Sequence, residues 1–503
     1  MVTCVKRRTF VLGGVGAVVL PRHRVVAGPF TLGVASGEPD PDSVVLWTRL
    51  APVPLAADGH GGMPRADVAV EWQVSPDASF RQLVASGTAT ARHDEAHTVH
   101  VVAGGLRPDF EYHYRFRAQG HLSPAGRTRT APPPAAAGRD LTMLFASCAN
   151  FEAGYFTAYR RMAEERAGLI LHLGDYIYEG VAKPGHVRQH LGPEILTLAD
   201  YRRRYGQYKV DPDLQAAHAS APWLVVPDDH DVEDDWAGMH RLDNLPPLSA
   251  AQWVQRRTAA FRAYYEHLPL RPRSAPAGNA MQLYRRVPWG RLATFHMLDT
   301  RQFRDPQACG GGSKKCADAD RPGRSLPGLA QEKWLLDGLA QHRGAWDLIG
   351  QQVFFAGQLN AAGVGNMDAW DGYRASRDRI QRGWVQRGVR NPVVLTGDIH
   401  TGWANDLKAD YTDPRSPVVG TELVCTSITS RGDGTAKTSI PAGDVNPHLR
   451  FYSDRRGYVR TTITPAQITA DFRGVDAVSR PDAAVRTLAS FALRDGRPGV
   501  NRL

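Results

Sequence analysis

The stretch Leu169-Ile-Leu-His-Leu-Gly-Asp-Tyr-Ile-Tyr178 constrains this chain more than any other. An apolar run of strand length ends at a glycine, and the carboxylate of Asp175 and the phenol of Tyr178 follow at once. Both are hard oxygen donors that suit hard cations. Two other segments have the same build, Pro222-Trp-Leu-Val-Val-Pro-Asp-Asp-His-Asp231 and Val393-Val-Leu-Thr-Gly-Asp-Ile-His400. In α/β sheets, ligands gather beyond the carboxyl ends of the strands. Three strands that each run out into Asp or His therefore point to an α/β metal-dependent hydrolase.

The intervening sequence agrees with that class. Helical patterns at 151–167, 197–208, 250–268, 329–342 and 373–389 alternate with strand-like runs at 141–146, 169–173, 223–226, 292–298, 348–355 and 393–395, as an α/β domain requires. Later β-like segments at 457–463 and 467–472 supply antiparallel strands that complete a two-sheet sandwich. Residues 29–130 read differently. Short β-branched and aromatic alternations, such as Val68-Ala-Val-Glu-Trp-Gln-Val74 and Glu111-Tyr-His-Tyr-Arg-Phe-Arg117, are separated by Gly, Pro and Asp clusters. That pattern predicts a small β-sandwich of immunoglobulin or fibronectin kind. The stiff Ala131-Pro-Pro-Pro134 run opens a linker over 131–139, which leaves 140–503 as the main domain.

Ahead of these lies Lys6-Arg7-Arg8-Thr9-Phe10, followed by an apolar run over 11–20. That run is about half the ~20 residues a membrane-spanning helix needs. The arrangement predicts a twin-arginine export signal over 1–28 and a protein, secreted or wall-associated, that folds before it leaves the cytoplasm. The formal net charge of +10 comes from scattered arginines without a block of like charges, which argues against a nucleic-acid-binding tail and leaves a weak attraction to anionic substrates or wall polymers. Of the five cysteines, Cys4 falls in the signal. Cys309 and Cys316 flank a Gly-rich loop and fit a disulfide, with a zinc pair as the alternative. Cys425 reads as a core thiol, and Cys148 reads equally well as a buried thiol or a ligand.

Five strands end informatively: in Ser147-Cys148-Ala-Asn150, in Asp175 with Tyr178, in Asp228-Asp-His-Asp231, in Asp299-Thr-Arg301 and in Asp398-Ile-His400. A single Asp after a strand is more often a helix cap, but caps do not account for five such ends in one domain. Carboxylates gathered at one point repel one another unless cations compensate them. A tyrosine among them favours a trivalent ion, ferric iron.

The order Gly174-Asp-x-x-Tyr178, Asp229-His230-Asp231 and Gly397-Asp-x-His400 resembles the metallophosphoesterase superfamily. Phe145-Ala-Ser-Cys-Ala-Asn150, Leu298-Asp-Thr-Arg-Gln-Phe-Arg304 and Asp368-Ala-Trp-Asp-Gly-Tyr373 look like the PhoD-type alkaline phosphatases within it. The resemblance implies an αββα sandwich that hydrolyses phosphate mono- and diesters by attack of a metal-activated water on phosphorus. It also implies Fe3+ held by Cys148, Asp175, Tyr178 and His400. Asp175 would bridge to Ca2+, with Asp398 and Asp229 also facing the metals. His230 is then a candidate donor to the leaving oxygen, with a supporting bond to Asp231 as the alternative. Arg301 is a candidate for the outer phosphate oxygens, with a salt bridge to Asp299 or another acid as its alternative. Trp370, Asp371 and Tyr373 would shape the cleft. The chain departs from the family pattern at Pro227 and at Asp234-Asp235, where an Asn pair is usual. Two rival readings are a diesterase on lipid head groups or teichoic acid, and a non-enzymatic wall-binding protein with a structural metal.

Overall fold

The computed structural model describes residues 28–503 except 138, 243 and 244. The export signal expected over 1–28 therefore lies outside the described residues, save Gly28. Among them, no helix is long and apolar enough to cross a membrane.

Two large mixed sheets carry the chain. The first has ten strands, in the order Arg497–Arg502, Val485–Arg494, Gln467–Val475, Gly457–Ile463, Leu141–Ala146, Leu169–His172, Pro222–Val225, Val34–Gly37, Val44–Arg49 and Thr98–Ala103. The second has seven, in the order Arg285–Trp289, Ala293–Met297, Trp346–Gly350, Pro392–Thr396, Val418–Val424, Gly402–Lys408 and Leu449–Ser453. In each, the centre is parallel and the flanks antiparallel. The parallel strands are buried throughout, as strands covered on both faces must be.

Strand periodicity divides the cores. Met143 and Phe145 point between the sheets, where they meet Val287, Phe295, Met297, Leu348 and Leu423. Leu144 and Ala146 point the other way, onto Tyr159, Met162, Tyr205 and Phe261 of the helices on the outer face. A third core places Leu335, Leu339, Ile380 and Trp384 against the outer face of the seven-stranded sheet. The helices begin where their chemistry says they should. Thr197 and Ser249 form capping boxes with Asp200 and Gln252, each satisfying two otherwise unpaired backbone donors.

The N-terminal β region has both layers of a sandwich, but one layer is continuous with the ten-stranded sheet. Ala85–Ala91, Val68–Ser75, Glu111–Ala118 and His121–Leu122, with Gly126–Arg129 beside Glu111–Ala118, form a five-stranded sheet. It packs through Val70, Val74, Tyr114 and Phe116 onto Val34, Leu46, Val99 and Val101. Those last residues belong to strands of the ten-stranded sheet, where Val34–Gly37 runs parallel to Pro222–Val225. Nothing in the local alternation of 29–130 encodes that long-range pairing.

Other boundaries move for identifiable reasons. The helix expected over 151–167 is a short turn at Phe151–Ala153 and a helix at Thr157–Glu164; the break falls at Gly154, whose backbone is extended and lies where a side chain would meet Val478. The strand expected over 348–355 ends at Gly350. Beyond it Gln351 and Gln352 are buried as hydrogen-bonding struts for Thr396 and Thr300. Cys309 and Cys316 are joined in a disulfide. Cys425 is a buried thiol that donates to the carbonyl of Thr396.

Candidate metal centre

Three parallel strands, Leu141–Ala146, Leu169–His172 and Pro392–Thr396, deliver their next residues to one place. The backbone there is unusual: Cys148, Asp175, Asp398 and His400 all have positive φ, at 61°, 54°, 64° and 61°. Non-glycine residues rarely adopt this conformation, and such strain collects at functional sites. Gly174, at φ 105°, lets the loops close up; a Cβ there would lie 2.3 Å from that of Asp228. Backbone bonds lock the loops together, from Cys148 N to Gly174 O (3.1 Å) and from Ala149 N to Asp175 O (2.9 Å).

The side chains converge. Donor atoms of Cys148, Asp175 and His400 all lie within 4.8 Å of one another. The Tyr178 hydroxyl donates to Asp175 Oδ2 (2.8 Å) and sits 3.1 Å from His400 Nε2. Ser430 Oγ lies 2.7 Å from that hydroxyl and 2.9 Å from the carbonyl of Cys148, and its single proton can serve one of the two. On the other side of Asp175, oxygens of Asp228 and Asp229 form a second group within the same span, and Asp229, His230 and Asp234 a third. These residues open onto a cleft of about 480 Å³, whose walls include Asp234, Asp235, Asp368, Asp398, Trp403 and Arg431.

This crowding has electrostatic consequences. Burial, and then the neighbouring acids, push the carboxyls of Asp175 and Asp398 well above the usual range. Asp368 and burial push Asp235 up to about 8, and burial with Asp229 takes Asp234 to about 6. Desolvation also raises the Cys148 thiol and the Tyr178 phenol, and it lowers the His400 imidazole to about 3. Two buried polar atoms, His400 Nδ1 and Asp228 Oδ2, have no hydrogen-bond partner, and Asp229 Oδ1 has only the Arg301 guanidinium at 3.4 Å. Thiol, phenol, imidazole and surplus carboxylates, with orphaned donor atoms, fit a site built for cations.

His230 faces the cleft. Its Nδ1 pairs with Glu179 Oε2 at 2.8 Å, its Nε2 lies 3.7 Å from Asp234, and its ring packs on that of Tyr178 at 4.2 Å. Burial opposes its protonation, but Glu179, Asp175 and Asp229 outweigh it and hold the imidazole well above its ordinary value. The alternative partner, Asp231, points away, accepting from the backbone N–H groups of Tyr176, Ile177 and Asp228.

Arg301 takes the second of its two readings, a salt bridge to neighbouring acids. Its guanidinium is fully buried and pairs with Asp228 (2.6 Å), Asp368 (2.9 Å) and Asp229 (3.4 Å). It neutralises acids beneath the cleft and does not face a substrate. Nor do Trp370, Asp371 and Tyr373 shape the opening. Asp371 is buried against Arg377, Tyr373 donates to the carbonyl of Asp305, and Trp370 donates to Gln351. The residue of that motif on the cleft wall is Asp368. Glu179, Asp368, Ser430 and Arg431 are not singled out by the sequence; Asp368 falls within a quoted motif and Glu179 directly follows Tyr178.

Strand-end acids, a buried thiol and phenol, and an open cleft at the edge of two sheets are the features of a phosphoric ester hydrolase. Comparison makes the assignment specific. Residues 143–472 match the PhoD-like phosphatase model and residues 17–132 match the model of the PhoD-like phosphatase N-terminal domain. The chain belongs to the PhoD-like phosphatase family. It is 47% identical over 488 residues to alkaline phosphatase D of Bacillus subtilis (strain 168), covering 94% of this chain and 82% of that protein. A solved structure described as that of PhoD matches with a TM-score of 0.91 and 46% identity, over 95% of this chain and 92% of the other. The chain is thus an enzyme of the alkaline phosphatase kind, and the reading as a non-enzymatic wall-binding protein falls.

Proposed function

We propose that the protein is an exported, metal-dependent phosphoesterase that hydrolyses phosphate mono- and diesters. Export by the twin-arginine route rests on the Lys6-Arg7-Arg8 segment and its short apolar run. The αββα layering of metallophosphoesterases is supported by three cores, one between the sheets and one on each outer face. The division into 29–130, a linker over 131–139 and a catalytic unit from 140 to 503 is supported by the N-terminal core, with one sheet shared across the boundary.

The convergence of Cys148, Asp175, Tyr178 and His400 carries this reading. These four would hold Fe3+, for which a phenolate and a thiolate are suitable anionic donors. Asp175, Asp229 and Asp398, with the added acids Asp234 and Asp235, would also offer hard oxygen donors to Ca2+. When bound, such cations neutralise phosphate oxygens and acidify a water. The chain supplies the rest. Arg301 balances the acids from below and holds Asp228, Asp229 and Asp368 in place. Glu179 fixes His230 through Nδ1, which leaves Nε2 free on the cleft side to donate to the departing ester oxygen. Ser430 sets the orientation of the Tyr178 hydroxyl.

Asp175→Ala should abolish hydrolysis of p-nitrophenyl phosphate and its bis ester while the circular dichroism spectrum is kept. Hydrolysis that survives the substitution would overturn the assignment. The purified protein should show a tyrosinate-to-iron absorption band and contain iron and calcium on elemental analysis. A colourless protein carrying only zinc would overturn the choice of ions.

A further inference from the structure

The cleft has a second side. A separate cavity of about 430 Å³ adjoins the centre and shares Tyr178, His400 and Arg431 with it or its cleft wall. The two differ in charge. The first is walled by acids. The second presents Lys183, His186 and Arg431, and its one acid, Glu152, is committed elsewhere. Glu152 Oε1 accepts from the backbone N–H groups of Lys183 and His190, and the residue is buried.

The three basic side chains are exposed, and among the described residues none is in an ion pair within 4 Å. Arg431 is held in place through its backbone. It has φ 68° and directly follows Ser430, which is tied to Tyr178 and to the carbonyl of Cys148. On the other wall, Lys183 is anchored by its N–H on Glu152. Two unpaired cations and an imidazole thus border a chamber whose floor is His400 and Tyr178. Such a chamber attracts an anion and places it beside the reacting phosphate.

We propose that this chamber is a second anion subsite, and that the enzyme favours phosphodiesters in which an alcohol portion carries a further phosphate. The proposal rests on the phosphoesterase reading above and adds the substrate feature it selects. The reacting phosphate occupies the acidic, cation-binding cleft, and the second phosphate lies across Tyr178 against Lys183, His186 and Arg431.

Two chromogenic diesters differing in one group test this: thymidine 5′-(p-nitrophenyl phosphate) and the same compound bearing a 3′-phosphate. The 3′-phosphate should lower KM on the order of fivefold with little change in kcat, the scale of one or two solvent-exposed ion pairs. The advantage should shrink as ionic strength rises. In Lys183→Ala/His186→Ala the two substrates should have the same KM, and Arg431→Gln should also remove the difference. Equal KM values in the unmodified enzyme overturn the subsite. A preference that survives in the double variant overturns its location. Failure to hydrolyse either compound, or p-nitrophenyl phosphate, would instead count against the phosphoesterase reading.

Discussion

Cys148, Asp175, Asp398 and His400 each sit in left-handed backbone, at a cost of roughly 1–2 kcal/mol per residue. They repay that cost by turning the chain back as it leaves a strand, so that adjacent loops present side chains to one point. Tyr178 has no such backbone burden: its N–H and carbonyl are anchored on Tyr208 and Arg204, and its hydroxyl alone reaches Asp175, His400 and Ser430. Tyr178→Phe should therefore bleach the visible band and change metal content while the melting temperature stays within a few degrees, as absorbance and thermal melts would show. Glu179→Gln takes the charged partner from His230. It should lower kcat about tenfold and leave KM nearly unchanged, a loss typical of a disturbed supporting partner; steady-state kinetics that showed no change in kcat would mean His230 needs no such orientation. The sequence made Asp175 and Asp398 conspicuous because each follows an apolar run and a glycine at once, and His400 because it stands two residues beyond Asp398. Asp368 and Arg431 carry no comparable local signal, since both stand in loops whose positions are set by distant contacts. The particular acids that Arg301 pairs with are hidden in the sequence for a related reason. Three carboxylates from two separate loops surround it, and no linear spacing foretells that.

At the scale of elements, close approach between loops is the governing feature. Gly174 separates Leu169–His172 from Asp175 and leaves room for Asp228. Gly174→Ala would set a Cβ 2.7 Å from the Asp228 nitrogen at a φ of 105°. Steric overlap and backbone strain together should cost about 3 kcal/mol or more. Both melting temperature and activity should fall, as calorimetry and a p-nitrophenyl phosphate assay would report. Element types were largely legible. The helices near 198–209 and 250–267 and the buried strands read correctly, because capping boxes and continuous apolar runs are local signals. Strands such as Gly402–Lys408, fully buried yet containing Asn405, Asp406 and Lys408, escaped notice. Their polar side chains are satisfied by Glu422, by Val500 N and by the carbonyls of Asp413 and Pro414, partners that only the assembled sheet provides.

Across the whole molecule, buried histidines set the response to acid. Desolvation lowers His172 and His190 to about 3, His100 to about 4, and His218 and His267 well below their ordinary value. Each is held neutral in the folded protein, whereas in the unfolded chain it protonates near pH 6.5. The unfolded state therefore binds more protons below that pH, so the stabilisation present above pH 6.5 is lost progressively as pH falls towards the folded values. Asp231, raised by burial to about 7, acts in the opposite sense, favouring the fold in acid and losing that contribution as pH rises through 7. Burial raises Asp299 and Glu422 in that same opposing sense, whereas, against desolvation, His230 holds Glu179 low and Arg301 holds Asp368 low, and these two add to the histidines' loss of stability in acid. The melting temperature of the metal-loaded enzyme should drop between pH 6.5 and 4, and a flat profile across that range would contradict this account. The shared sheet bears on biosynthesis as well. Val34–Gly37 finds its parallel neighbour only at Pro222–Val225, which leaves the ribosome roughly 190 residues later, on the order of 10–40 s at usual translation speeds. During that interval one edge of the first strand lacks its parallel partner. The two layers of the N-terminal sandwich both lie within residues 34–129 and can pack early, but with that edge open, so a nascent chain stalled before residue 222 should be more readily captured by proteases and chaperones than the finished protein.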